Sequence, residues 1–287
     1  MTSKTIKSAL ADAANLIADS SDSPGLDAET LLTSVLNVPR SHLFAHPEEE
    51  LTGQAAEGFE FAITRRAEGE PVAYITGSKE FWSLQLTVTA ATLIPRPETE
   101  LLVERALLRI PQDRFCRVLD LGTGSGAVAI AIASERSKST IVATDTNAKA
   151  LQVARENAAM HNLKNVRFLC GDWTEPVADQ TFDIVVSNPP YVRDDDPTLK
   201  DLRFEPLEAL VAGPDGLDAI RRIAVEARSV LAANGSLFIE HGAEQQDAVA
   251  GILRQNGWEN IECFADLAGH PRVTTARMGA PSSKDQA

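Results

Sequence analysis

From Arg117 to Met278 the sequence alternates short apolar strand patterns with helical patterns of about a dozen residues, and this alternation restricts the fold more than any other feature. The strand patterns are RVLDLG, TIVATD, VRFLCGD, FDIVVSNPPY, SLFIEHG, IECFAD and VTTARM. Between them lie GAVAIAIASER, NAKALQVARENAAMHN, LDAIRRIAVEARSVLAAN and EQQDAVAGILRQNG. Parallel strands need crossovers of this length, and helices packed on a sheet cover its two faces. The pattern therefore predicts an α/β domain with a mostly parallel sheet and right-handed crossovers. The last two strands, joined by LAGHPR, predict a hairpin, and hence one antiparallel strand at the C-terminal end of the sheet.

The preceding third reads differently. Ile6, Leu10, Ala13 and Ile17 fall at helical spacing, and Asp22-Ser23-Pro24-Gly25 breaks the pattern. LDAETLLTSVLNV predicts a second helix ending before Pro39, and LTGQAAEGFEFAITRRAEG a third, with Thr52 as its cap. His42 and His46 are four apart, but the following Pro47 suggests a helix end or turn and not a metal pair. KEFWSLQLTVTAATLIPRP, rich in β-branched and aromatic residues, predicts a strand pair or extended connector, a hinge region outside the core. A helix follows over Glu98 to Leu108. The resulting division is a helical domain over 1–77, a hairpin or linker over 78–97 and the α/β domain over 98–287. A length of 287 residues suits two unequal domains better than one. The tail PSSKDQA is polar and is expected to fray.

Composition removes several classes of function. No apolar run approaches the roughly 18 residues that cross a bilayer, and Asp12 and Asp19 interrupt the opening apolar stretch, unlike a secretory segment. A cytoplasmic location is expected. Cys116, Cys170 and Cys263 are odd in number and form no CxxC pair, so they read as buried small hydrophobes, with neither disulfides nor a metal site expected. The net charge of −14 opposes broad binding to a phosphate backbone, which needs Lys and Arg. A protein or small-molecule partner is favoured.

The chemistry concentrates where strands end. Asp120-Leu121-Gly122-Thr123-Gly124-Ser125-Gly126 turns a strand into a helix, where glycines admit close approach of a ligand and helix amides suit a polar or negative group. The spacing GxGxG without a following GK[ST] disfavours a P-loop. Asp145, ending the next strand, is placed to accept hydrogen bonds from ribose hydroxyls, or alternatively to cap the helix near Asn147. Asp172 and Trp173 follow the third strand; the indole is a candidate for stacking on a purine. Ser187-Asn188-Pro189-Pro190-Tyr191 is the most informative segment. Its prolines remove two donors, so the Asn188 amide oxygen and the Pro189 carbonyl can converge on one planar NH2 group. Such a nitrogen is a poor nucleophile because its lone pair is delocalised. Accepting both its protons favours the sp3-like state that develops during attack. Tyr191 offers a flat face for that group.

DLGTGSG, then Asp145, then SNPPY resembles an S-adenosylmethionine-dependent methyltransferase acting on exocyclic or amide NH2 groups. EFWSLQL, LIPRPETE, RFEPLEAL and IEHG extend the resemblance nearly end to end to the PrmC/HemK family of protein-(glutamine-N5) methyltransferases. The resemblance implies a Rossmann-like class I methyltransferase sheet with a small N-terminal helical domain. It implies S-adenosylmethionine as cofactor, S-adenosylhomocysteine as product, and methylation of the glutamine amide in the Gly-Gly-Gln motif of class-1 peptide chain release factors, which the helical domain helps to dock. Cofactor-binding positions carried over are Asp120, Gly122, Thr123, Gly124, Ser125, Gly126, Asp145, Asp172, Trp173 and Asn188. Substrate positions are Asn188, Pro189, Pro190 and Tyr191, with Asn188, Pro189 and Tyr191 catalytic. Arg96, between two prolines, is expected to help close the pocket, and Arg203 and Glu205 to belong to a loop over the substrate. Pro271 departs from the polar or acidic residue expected there and touches only the last hairpin. No direct nucleic-acid or membrane contact is expected, and the chain is expected to be monomeric. Two other readings stay open: an adenine-N6 methyltransferase, which would need a basic surface, and a non-catalytic cofactor-binding scaffold.

Overall fold

The structure, a computed structural model, describes residues 4–279. The tail expected to fray lies outside the described residues. The chain divides into two compact units at Ser78/Lys79.

The first unit is helical: β1 (Lys4–Thr5), α1 (Ile6–Leu16), α2 (Pro24–Leu36), α3 (Arg40–Ala45), β2 (Glu50–Leu51), α4 (Gly53–Ala67) and α5 (Val72–Thr76). Its core gathers the apolar stripes anticipated from spacing, including Ile6, Ala13, Ile17, Leu31, Leu32, Phe59 and Ile63. Proline at the first position of α2 starts that helix, since its missing amide would be unpaired there in any case. His46 ends α3, and His42 Nε2 lies 3.0 Å from Glu49 Oε2. Thr52 holds the N-cap position of α4 without a side-chain capping bond.

The second unit opens with the hairpin β3 (Ser78–Phe81) and β4 (Leu84–Thr87), of which only the first residue, Ser78, falls in the first unit. It continues through α6 (Glu100–Leu107), β5 (Arg117–Leu121), α7 (Ala127–Glu135), β6 (Thr140–Asp145), α8 (Ala148–Met160), β7 (Val166–Cys170) and β8 (Phe182–Ser187). It ends with α9 (Asp218–Val230), β9 (Leu231–Glu240), α10 (Gln246–Gln255), β10 (Trp258–Ala265) and β11 (Pro271–Met278). Seven strands form one sheet in the order β10-β11-β9-β8-β5-β6-β7. β9, β8, β5, β6 and β7 run parallel, and β11 is antiparallel to both neighbours. The antiparallel strand thus exists but is not the edge: β11 inserts between β9 and β10, and β10 forms the border. Pro271 opens β11, at a strand's first residue, where a missing amide is tolerated.

β5, β6 and β8 are apolar almost throughout because helices cover both their faces. On one face α7, buried along nearly its whole length, packs with α6. On the other face α9 and α10 bury Ile220, Ile223, Ala227, Val249 and Leu253.

Three expectations need correction. The segment expected to be a hinge outside the core supplies Phe81 and Leu86, both buried in the first of these clusters. Its backbone is tied down as well: Glu100 accepts from Trp82 N at 2.8 Å, and Asn157 accepts from Thr87 N at 2.7 Å. The helix read through Asn234 stops at Val230, and Leu231 to Asn234 start β9, where Phe182 pairs with Leu231. Cys116 is buried as expected, but Cys170 is exposed because it ends β7, an edge strand.

Candidate active site

In chain order the sheet grows from β5 through β6 to β7 on one side, and then jumps back to place β8 on the other side of β5. The C-terminal ends of β5 and β8 therefore flank the topological switch point, where helical connections diverge and open a crevice. Both informative motifs leave the sheet there. Ser187 Oγ donates to Leu121 O at 2.8 Å and locks the two strand ends together.

The glycine turn after β5 has Gly122, Gly124 and Gly126 at φ of 71°, 56° and 85°, a region costly for side chains with a Cβ. The three serve different ends. A Cβ on Gly126 would lie 2.9 Å from Ile130 Cδ1 and 3.1 Å from Ala154 Cβ, so this glycine lets α7 approach α8. A Cβ on Gly122 would sit 3.4 Å from Trp173 Cζ3, whereas one on Gly124 would meet nothing within 4 Å and project into open space. Asp145 holds the turn: one carboxylate oxygen accepts from Gly124 N at 2.8 Å and the other from Asn147 N at 2.8 Å. The cap of α8 is Asn147, whose Oδ1 accepts from Lys149 N and Ala150 N, so the capping alternative for Asp145 does not hold. Burial raises the Asp145 pKa, against the pull of those two amides. Asp120, 1% exposed, accepts from Thr123 Oγ1 at 2.6 Å. Burial pushes its pKa up to about 7, the Thr123 hydroxyl opposing and the charge of Asp145 adding to the rise.

A cleft of about 730 Å³, including its mouth toward solvent, opens beside the glycine turn and Asp145. Asp145, Gly122, Gly124, Trp173, Asn188 and Pro190 all face it, together with Leu93 and the 206–209 segment. A smaller recess of about 420 Å³ shares Gly122, Gly124, Leu93 and Asn188 and reaches Asp120, Thr123 and Ser125. Trp173, with φ of 44°, lines the cleft with its ring beside Gly122, and Thr144 Oγ1 donates to its carbonyl at 2.9 Å. Asp172 is directed elsewhere: it pairs with Arg222 of α9 at 2.7 Å.

Asn188, Pro189 and Pro190 follow the end of β8 outside any ladder. The segment is anchored beyond them, where Val192 N donates to Leu210 O at 2.8 Å and Ala212 N to Val192 O at 2.9 Å. Gln245 Nε2 donates to Tyr191 O at 3.0 Å. Asn188 Nδ2 donates to Thr99 Oγ1 at 3.1 Å, which leaves the amide oxygen as the acceptor this side chain brings to the cleft. Burial raises the Tyr191 pKa, so the phenol stays protonated. Arg96 pairs with Glu205 through Nη2, and the buried Glu205 also accepts from Ile94 N at 3.1 Å. The pair thus ties the segment before α6 to the loop whose Pro206, Glu208 and Ala209 wall the cleft.

Three site-building residues were not singled out from the sequence, and a fourth, Glu205, was expected only as part of a loop over the substrate. Asn157 is fully buried and bonds the carbonyls of Thr87 and Ser125, joining hairpin to glycine turn; an isolated amide on an apolar helix face was its signal. Thr99, Glu205 and Glu240 lie in LIPRPETE, RFEPLEAL and IEHG, which carried the resemblance, but their contacts gave no signal in spacing because their partners lie far along the chain.

The methyltransferase-domain family model matches residues 112–275, and the PrmC N-terminal domain model matches residues 8–77. The release factor glutamine methyltransferase of Coxiella burnetii (strain RSA 493 / Nine Mile phase I) is 46% identical over 275 residues, covering 96% of this chain and 99% of that protein. The protein of that name from Escherichia coli (strain K12) is 45% identical over 259 residues, covering 90% and 93%. The chain belongs to the release factor glutamine methyltransferase family. Among solved structures, a methyltransferase from Pyrococcus furiosus superposes with a TM-score of 0.52 at 19% identity, covering 69% of this chain and 90% of that one; the likeness is one of fold. As a member of the family the chain is a methyltransferase whose methyl donor is S-adenosylmethionine. The cleft fits that donor: Gly124 leaves open the space a Cβ would fill, Trp173 offers a ring face, and a carboxylate stands at the end of β6. No helix among the described residues is long and apolar enough to cross a membrane.

Proposed function

We propose that this protein methylates the side-chain amide nitrogen of the glutamine in the Gly-Gly-Gln motif of class-1 peptide chain release factors. The observation that carries this is the fixed polarity of Asn188: with Nδ2 spent on Thr99 Oγ1 at 3.1 Å, its oxygen is the group offered to an acceptor. An acceptor that must surrender two N–H groups to Asn188 Oδ1 and the Pro189 carbonyl is a planar NH2, and the glutamine amide is one.

Bound S-adenosylmethionine supplies an electrophilic methyl group on a sulfonium. Gly122, Thr123, Gly124 and Ser125 line its place, Gly126 lets α7 close behind them, and Asp120, Asp145 and Trp173 are its polar and aromatic contacts. Asn188 and Pro189 withdraw the amide protons from the plane of conjugation, which raises the nucleophilicity of nitrogen only as the transition state forms. Pro190 and Tyr191 hold the amide plane so that nitrogen meets the methyl in line, and orientation of this kind supplies much of the rate. No strong base is needed, since the methylated nitrogen sheds its proton readily. Arg96 acts by bracing the cleft wall through Glu205 and does not touch the amide. The helical domain over residues 1–77 docks the release factor, and the enzyme works as a cytoplasmic monomer without contacting nucleic acid.

The test is intact-mass spectrometry after incubating the protein with S-adenosylmethionine and a class-1 release factor, beside a release factor carrying Gln→Ala in its Gly-Gly-Gln motif. One added methyl on the first and none on the second is the expected result. A methyl on both, or on neither while the donor still binds, overturns the assignment.

A further inference from the structure

Behind Asn188 and Tyr191 lies a carboxylate to which the reaction as described gives no role. Glu240 ends β9 after Leu237, Phe238 and Ile239, and is 1% exposed. Its Oε2 has no hydrogen-bond partner among the described residues. Arg272 of β11, the cation whose charge acts on it, is engaged with Asp266 at 3.1 Å. The groups that face Glu240 are the hydroxyls of Thr99 and Tyr191, the positive charge of Arg272 and the negative charge of Glu98. Burial pushes its pKa up to about 7 in spite of the two hydroxyls and Arg272. A buried carboxylate so incompletely compensated costs stability. It stands, however, against Tyr191 and against Thr99, whose hydroxyl oxygen holds the Asn188 amide.

We propose that Glu240 is a positioning residue: by taking the hydroxyl protons of Thr99 and Tyr191, it fixes the Asn188 amide with its oxygen toward the methyl acceptor. The proposal rests on the reading of the site as a glutamine-amide methyltransferase. Its logic is a count of protons. A threonine hydroxyl has one proton. If Glu240 takes it, Thr99 Oγ1 can face Asn188 only as an acceptor, and of the Asn188 side chain only the NH2 group donates. The observed bond, Asn188 Nδ2 to Thr99 Oγ1 at 3.1 Å, has that polarity. A flipped amide would set an NH2 against the substrate NH2, two donors facing each other. An ionised carboxylate accepts and never donates, so it enforces one direction; a neutral amide at position 240 could donate to Thr99 and release the constraint. The same carboxylate turns the Tyr191 hydroxyl inward and holds the ring.

The experiment compares Glu240→Gln, Thr99→Val and Thr99→Ser with the parent by turnover on a release factor, donor dissociation constant, thermal midpoint, and NMR of the Asn188 side-chain NH2. That NMR signal is assigned by its loss in Asn188→Ala. Expected are a fall in kcat of about tenfold or more in Glu240→Gln and Thr99→Val, with donor affinity changed less than about threefold. Thr99→Ser recovers most of the loss. The Glu240→Gln midpoint at pH 8 is no lower than the parent's, because the substitution removes a buried charge. The Asn188 NH2 resonances of the parent shift as pH crosses about 7, and in Glu240→Gln they do not. Parent-like turnover in Glu240→Gln, equal impairment of the Val and Ser variants, or Asn188 signals indifferent to both pH and substitution each overturn the proposal. If the parent leaves the release factor unmodified while the Asn188 signals follow Glu240, the substrate assignment fails and the positioning role stands.

Discussion

At the scale of single residues, the site works through the polarity of Asn188. Its NH2 group is held by Thr99 at 3.1 Å, which leaves its oxygen as the acceptor this side chain offers to the cleft. Asn188→Ala removes that acceptor but leaves Trp173, Asp145 and the glycine turn in place. The expected outcome is a loss of about 10² or more in kcat with donor affinity weakened only a few fold, measured by steady-state methylation beside calorimetric titration of the donor. Turnover within a factor of about three of the parent would remove Asn188 from the reaction. The motif SNPPY disclosed this residue because it follows the glycine turn, Asp145 and Trp173 in order, a setting in which a plain turn is a poor account of the two prolines. Thr99, which sets the direction of the amide, was not legible: it lies 89 residues away, and only the approach of the segment before α6 to the end of β8 joins them.

At the scale of elements, the turn between β5 and α7 separates stability from function. Gly126→Ala drives a Cβ to 2.9 Å from Ile130 Cδ1 and 3.1 Å from Ala154 Cβ in a left-handed backbone. The expected cost is about 2 to 4 kcal/mol, seen as a lower denaturation midpoint. Gly124→Ala meets no protein atom within 4 Å. It should cost about 1 to 2 kcal/mol from backbone strain alone while weakening donor binding about tenfold or more, because the new methyl enters the cleft. If the two substitutions act alike on both quantities, the assignment of Gly124 to the donor is wrong. The glycines were visible as a group from the sequence, but their division of labour was not, since it depends on which atoms stand opposite each α-carbon. The same holds for the hairpin of β3 and β4: its alternation was legible, whereas its burial against α6 and α8 follows from Glu100 and Asn157 reaching its backbone.

At the scale of the whole molecule, burying carboxylates at the switch point couples stability to pH. Asp120 titrates at about 7 in the folded protein, raised by burial from an ordinary value of 3.8. A carboxyl whose folded pKa lies above its unfolded one burdens the fold when ionised. Stability from this group is therefore greatest below about pH 4 and declines as pH rises toward 7. His241, lowered by burial, works in the opposite sense and loses stability as pH falls through its unfolded value near 6.5. Asp120→Asn isolates the first effect: the difference in unfolding free energy between pH 5 and pH 8 should shift by about 2 kcal/mol relative to the parent, in favour of pH 8. Denaturant titrations at the two pH values check it, and an unchanged difference would mean that Asp120 is ionised without penalty.

Sequence alone determined the periodicities of strand and helix, the order of the units, the glycine turn and the NPPY segment, because each is written within a dozen neighbouring residues. The net charge of −14 likewise needs no coordinates. Tertiary structure decided what depends on remote partners: β11 entering between β9 and β10, Asp172 turning to Arg222, Asp145 clasping the glycine turn, and Arg96 bracing Glu205. It also decided that Thr99, Tyr191 and the buried Glu240 stand behind one asparagine. A periodicity reports which face of an element is apolar. Which polar groups meet across the crevice is set by how the sheet is ordered, and strand order is a property of the assembled chain.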